Sequence, residues 1–270
     1  METNNKVEKK SSKMEVLKKT LDAPSVQDQF KNALDDNTGT FVASLIDLFG
    51  SDSYLQNCEP KDVVMEALKA AVLKLPIIKS LGFAYIVPFK VNNVMKPQFQ
   101  IGYKGLIQLA MRTAQYRIIN ADVVYEGEYK TKNKLTGEYD LNGEQQSDKV
   151  IGYFAHFEML NGFSKTLYMT KEKVTSHAEK YSKSYNQPYG PWKKEFDAMA
   201  IKTVCRGLLG KWGYLSVEMV NALGEDTDTD VADKVHDQIQ MNGNRKVMSF
   251  ENVEEVEQVH EFENAGGPDF

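Results

Sequence analysis

The chain has 270 residues, 41% of them hydrophobic and 26% charged, which suffices for the core of one sizeable soluble domain. Apolar runs such as residues 70–73 and 207–209 fall far short of the roughly 20 residues a bilayer span requires, and the lysine-rich N-terminus lacks an apolar signal core, so a cytoplasmic location is expected. Cys58 and Cys205 lie far apart with no metal-ligand spacing around them, which argues against a disulfide framework or zinc site.

The formal charge of −5 is unevenly spread: residues 226–270 carry three bases against twelve acids, whereas residues 1–225 carry 30 bases against 26 acids. A mildly basic body with an acidic end is compatible with a polyanionic partner in a way the net figure alone is not. The composition divides the chain into a flexible N-terminal arm over residues 1–24, a core over 25–225, and an acidic, largely disordered partner-binding region over 226–270.

In chain order, Ser25 and Asp28 resemble a capping box for a short helix whose apolar stripe is Phe30, Ala33 and Leu34. A turn around Asp36-Asn37-Thr38-Gly39 leads to a second helix over residues 41–49, and a third starts at Pro60 and stops before Pro76. From Phe83 the pattern becomes strand-like, with a hairpin turning at Asn92-Asn93 and feeding a helix that opens at Gly102-Tyr103-Lys104-Gly105. Lys104, Gln108 and Arg112 recur every four residues and share one helical face, while Leu106, Ile107, Leu109 and Ala110 supply the buried one.

Further strands are expected over residues 117–129, 149–159 and 163–169, the last two joined through Asn161-Gly162, with a polar excursion at 130–148. Thr170 caps a helix reaching Tyr181, and a tyrosine-bearing loop then leads to a long helix over residues 192–212. There Lys194, Ala198, Lys202 and Arg206 align at four-residue spacing, with Lys211 beyond them. In the acidic end, Phe250, Val253, Val256 and Val259 could share one side of a short helix. Helices before, within and after a mostly antiparallel sheet, without regular βαβ alternation, predict an α+β architecture.

The signatures of catalysis are missing from the sequence. Gly207 to Lys211 has the wrong spacing for a phosphate-binding loop, the four histidines are scattered, and Glu126 and Glu128 alternate on a strand without a third acid for a metal-dependent nuclease. Two cationic ridges, interleaved with Tyr103, Tyr185, Tyr189, Trp192 and Phe196, suit a single-stranded nucleic acid instead. The same ridges would accept an RNA backbone, so an RNA-binding or RNA-chaperone module is the runner-up, and nothing in the residues reads a 2′-hydroxyl.

Gly102-Tyr103-Lys104-Gly105-Leu106-Ile107 and Gly190-Pro191-Trp192, with Phe196, Met199, Lys202-Thr203 and Arg206 behind it, resemble the two signature stretches of the RecT family of phage and prophage single-strand annealing proteins, in order and in spacing. The similarity runs from about Leu45 to Leu223; Gly207 stands where relatives often carry a second basic residue, and Lys211 is displaced by one position. The resemblance implies an ATP-independent recombinase with no cofactor, a homo-oligomeric ring or helical filament that coats single-stranded DNA and pairs it with a complementary strand. It implies a DNA groove containing Tyr103, Lys104, Arg112, Lys202, Thr203 and Arg206, braced or lined by Trp192; the residue pattern adds Arg117, Tyr189, Lys194 and Lys211. It also implies a C-terminal region that docks host single-strand-binding protein or a phage exonuclease.

Overall fold

A computed structural model describes residues 12–182, 184–186 and 190–225. The expectations for residues 226–270, for Tyr189 and for the first eleven positions lie outside the described residues.

The arm expected over residues 1–24 gives way to structure at Ser12. Ser12 and Glu15 form a capping box for α1 (Lys13–Leu21), whose Leu17 and Leu21 are buried at i, i+4 spacing. Two buried leucines on one face anchor a helix that sparse apolar content had hidden. Pro24, at the first position of α2 (Pro24–Leu34), supplies the fixed φ that begins this helix. Ser25 lies inside it and caps nothing, but Phe30 and Leu34 are buried as expected. A single 3₁₀ turn at Asp35–Asn37 leads into α3 (Thr38–Ser51), and α4 (Pro60–Val72) packs against both α1 and α2.

The hairpin pairs β1 (Ala84–Val91) with β2 (Val94–Ile101) through Asn92 and Asn93, both at positive φ, the geometry of a two-residue turn. It forms a two-stranded sheet of its own. One face, containing Ala84, Ile86, Phe99 and Ile101, is buried, and Phe99 N–H donates to Glu66 Oε2 of α4 at 2.6 Å. The hairpin runs directly into α5 (Tyr103–Arg112).

A separate antiparallel sheet has the order β3 (Tyr116–Tyr125), β6 (Val150–Met159), β7 (Ser164–Thr170). The excursion between β3 and β6 holds a short hairpin, β4 (Thr131–Lys132) with β5 (Tyr139–Asp140). Tyr168 folds over Gly152, where a Cβ would come within 2.5 Å of its ring, and stacks with Tyr129 at 5.1 Å. The opposite face presents Tyr153, Ala155 and Phe157, all buried, and α8 (Phe196–Trp212) packs on this sheet. Around it stand α6 (Lys171–Tyr181), capped by Thr170, the short α7 (Pro191–Lys194) and α9 (Val217–Glu225). No described helix is long and apolar enough to cross a membrane. The architecture is α+β with antiparallel sheets packed by helices, as the pattern predicts.

Candidate nucleic-acid interface

The two glycines of the first signature exist for close approach. A Cβ on Gly102 would lie 2.1 Å from the carbonyl oxygen of Gly82, and one on Gly105 2.2 Å from that of Phe83, so only glycine lets α5 settle onto the segment preceding β1. Gly102 N–H donates to Phe83 O at 2.9 Å and seals the contact. Gly102 is also the N-cap and offers no side-chain acceptor, so the first N–H groups of α5 keep their positive end for an external anion. Lys104 is exposed on this first turn, its stem over Gly82, and makes no hydrogen bond or ion pair with the described residues.

The rest of the first ridge faces the protein. Arg112 donates from Nη1 to Leu73 O at 2.7 Å and from Nη2 to Lys74 O at 2.9 Å, holding the C-cap carbonyl of α4 and the one after it. Partial burial pulls its pKa down. Arg117 is paired with Glu158 across β3 and β6. Tyr103 is half-buried and packs on the core.

The second ridge is broken. The long helix expected over residues 192–212 divides at Glu195, whose φ of −136° and ψ of 55° are not helical, so Lys194 belongs to α7 and Lys202 to α8. No glycine or proline marks the break; it lets Trp192 turn inward. Trp192 is 4% exposed, donates from Nε1 to Ser182 Oγ at 3.0 Å, and sits edge-on between Tyr185 and Phe196. It braces the loop and has no free face for a base. Lys202 is 7% exposed, and Thr203 Oγ1 donates back to Met199 O. Arg206 donates to Leu223 O of α9 at 2.8 Å.

What does reach the surface is a set of lysines over aromatic rings. Lys193 lies 5.2 Å from the centre of Tyr185 and Lys171 5.7 Å from Phe196. At the far end of α8, exposed Lys211 approaches Trp212 at 4.5 Å, and half-buried Lys165, whose Nζ donates to Thr136 O, approaches it at 5.6 Å. Lys193, Lys171, Lys165 and Trp212 escaped the spacing argument because the helix break and the α8–β7 pairing that position them are tertiary.

The two signature stretches meet. α5 packs against α8, and Tyr85, from the hairpin base, has its hydroxyl pKa raised by burial and then by the nearby Glu195 carboxylate and Tyr103. The Lys104 stem and the Tyr85 hydroxyl both lie over Gly82, and Glu195, which follows Lys193–Lys194 in the chain, acts on that hydroxyl. Opposite Tyr85 in the hairpin register, Gln100 is buried with its Nε2 unpartnered among the described residues. The acids weighed for a nuclease are engaged: Glu126 accepts from Ser147 and Lys149, and Glu128 from Tyr125 N–H.

Exposed lysines interleaved with aromatic rings, carried by helices on an antiparallel sheet, have the make-up of a single-strand nucleic-acid binder that reads no sequence. The comparisons agree. Residues 39–239 match the RecT family. The chain is 45% identical over 232 residues to the uncharacterized protein YqaK of Bacillus subtilis (strain 168), spanning 83% of this chain and 79% of YqaK. It is 30% identical over 183 residues to Protein RecT of Escherichia coli (strain K12), spanning 64% of this chain and 65% of that one. The chain belongs to the RecT family, whose members bind single-stranded DNA, anneal strands in recombination and oligomerise.

Proposed function

We propose that this protein binds single-stranded DNA along the α5–α7 junction and anneals it to a complementary strand without ATP, acting as an oligomeric ring or helical filament. The observation that carries the reading is the packing of α5, with Lys104 exposed on its uncapped N-terminus, against α8, which Lys193 and Lys194 immediately precede in the chain. Cations and helix N–H groups grip phosphates in any sequence, while base edges left outward test an incoming strand, so pairing between strands supplies the specificity. In this reading Tyr103, Thr203 and Arg206 line the path and Lys211 extends it toward the far end of α8, while Arg112, Arg117, Trp192 and Lys202, held by the protein, support the elements around it. Tyr189 belongs to the same loop in sequence. The acidic residues 226–270 suit a docking region for host single-strand-binding protein or a phage exonuclease.

For single strands, affinity falls with salt at a slope of about −0.7 per phosphate neutralised, so about four contacts per protomer give a slope of about −3. A row of protomers on one strand multiplies that weak grip. The test is annealing of two complementary oligonucleotides added in succession without nucleotide cofactor, with matched DNA and RNA in competition. Lys104→Ala combined with Lys194→Ala should weaken binding across sequences and shallow the salt slope; unchanged affinity, or preference for RNA, defeats the reading.

A further inference from the structure

Residues 67–121 hold eight bases and no acid, whereas residues 12–66 hold five bases and ten acids. Within a protomer the blocks meet through the Lys74–Asp35 and Lys79–Asp52 ion pairs and the Phe99–Glu66 hydrogen bond. The acidic block is α1 to α3 and the first half of α4, and the basic block contains the β1–β2 hairpin and α5. Asp28, Asp36, Asp47 and Asp62 of the acidic helices are exposed, and none has an ion-pair partner among the described residues. Met65, one turn from Asp62, is 56% exposed.

The hairpin is unfinished on one side. Its inner face packs on α4, but its outer face alternates Tyr85, Val87, Phe89 and Val91 on β1 with Val94, Lys96, Gln98 and Gln100 on β2. Toward the tip Val91 and Val94 are 46% and 58% exposed; exposed Lys96 shares their face, and exposed Lys90 stands beside them on the other face of the tip. Aliphatic side chains at the tip favour an apolar protein surface, since nucleobases are held by aromatic stacking. Pairing through the strand edges is interrupted. Pro88 faces Pro97 in the register, at positions whose N–H groups would point outward, as that of Phe99 does toward Glu66. A partner must therefore approach the outer face and tip.

We infer that the β1–β2 hairpin is the docking element between copies of this chain, its lysine-framed aliphatic tip seating on the acidic α1–α4 helices of the next protomer. The two surfaces differ, so the contact is head-to-tail and generates a row or ring. Opposite charges set its register and its salt sensitivity, and the valines supply the buried area. This contact forms without nucleic acid and does not depend on the DNA-binding reading.

The test is sedimentation velocity of the full chain without nucleic acid, at low and high salt. Wild type should assemble at low salt and dissociate as salt rises. Lys90→Glu with Lys96→Glu should weaken association about tenfold or more, and Asp28→Lys with Asp36→Lys and Asp47→Lys should do the same. Mixing the two charge-reversed proteins should restore assembly. Val91→Ser with Val94→Ser removes the apolar contact without touching charge and should also dissociate the row, with circular dichroism and Tm unchanged in every variant. A monomeric wild type, unaltered assembly in the hairpin variants, or no restoration on mixing overturns the proposal. Intact assembly with lost oligo(dT) binding makes the hairpin a nucleic-acid contact instead.

Discussion

The two signature stretches use the same letters for different physical ends. In the first, glycines bring a helix against backbone and leave one lysine, Lys104, in solvent, while Arg112, two four-residue steps along the same face, binds carbonyls just past the end of α4. In the second, Gly190 and Pro191 start a helix that ends after one turn, and the aligned bases divide among solvent (Lys194), the interior (Lys202) and the last turn of α9 (Arg206). Four-residue spacing puts cations on one side of a helix, but what that side meets is decided by the neighbouring chain. Carbonyls at helix ends compete with phosphates for the same guanidinium groups.

The sharpest way to break this comparison is to remove the glycine that makes the first stretch possible. Gly105→Val forces its branched Cβ into the Phe83 carbonyl and should cost about 3 kcal/mol or more of folding stability, read as a large drop in the denaturant midpoint. Gly210→Ala, in α8 just past the second stretch, has only Leu223 Cδ1 at 3.9 Å before it and should leave the midpoint within about 0.5 kcal/mol. Next in size is Arg112→Ala, which removes the donor from the Leu73 and Lys74 carbonyls that follow α4 and should cost about 2 kcal/mol. A fall in DNA affinity with no loss of stability would instead make Arg112 a phosphate ligand.

The helices from Phe30 to Val72, the Asn92–Asn93 hairpin, the Gly102 helix start and the β6–β7 pair were legible because their signals are local: apolar period, proline at a first turn, paired turn residues. α1 was missed because Ser12 and Glu15 cap a helix anchored by only two buried leucines, and the break at Glu195 because inward packing of Trp192 and Phe196 causes it. For the site, Lys104 and Lys194 could be read from spacing and are exposed. Lys193 and Lys171 could not, since their aromatic partners come from other elements or across the break. Burial of Lys202 is equally invisible in a periodicity that counts positions without knowing which face is covered.

Smaller effects sharpen the contrast between solvent-facing and protein-facing cations. Lys104→Ala removes one contact of about 0.7 in salt slope and should leave Tm untouched, as expected of an exposed lysine whose stem passes over Gly82. Fluorescence anisotropy with oligo(dT) across a salt series reads the slope; an unchanged slope takes Lys104 off the phosphate path.

The smallest effect is a pH dependence arising beside Arg206. His177, whose ring lies 4.8 Å from that of Tyr181, has its pKa lowered by burial and by the Arg206 charge, and His156, bonded to Thr166 Oγ1 at 2.8 Å, has its pKa lowered by burial. A histidine with a depressed folded pKa binds its proton more readily when unfolded. Folding stability from these two sites is therefore fully present above the ordinary value of 6.5 and is lost as pH falls through 6.5 toward the folded values. Tm should decline between neutral and mildly acidic pH, well above the range where Asp52, held low by its Lys79 and backbone hydrogen bonds against the opposing effect of burial, begins to matter. His177→Gln should flatten its share of the decline while leaving Tm at neutral pH nearly unchanged. Equal slopes in wild type and variant would mean that the ring is solvated and that Arg206 directs its charge outward, toward DNA, rather than across to α6.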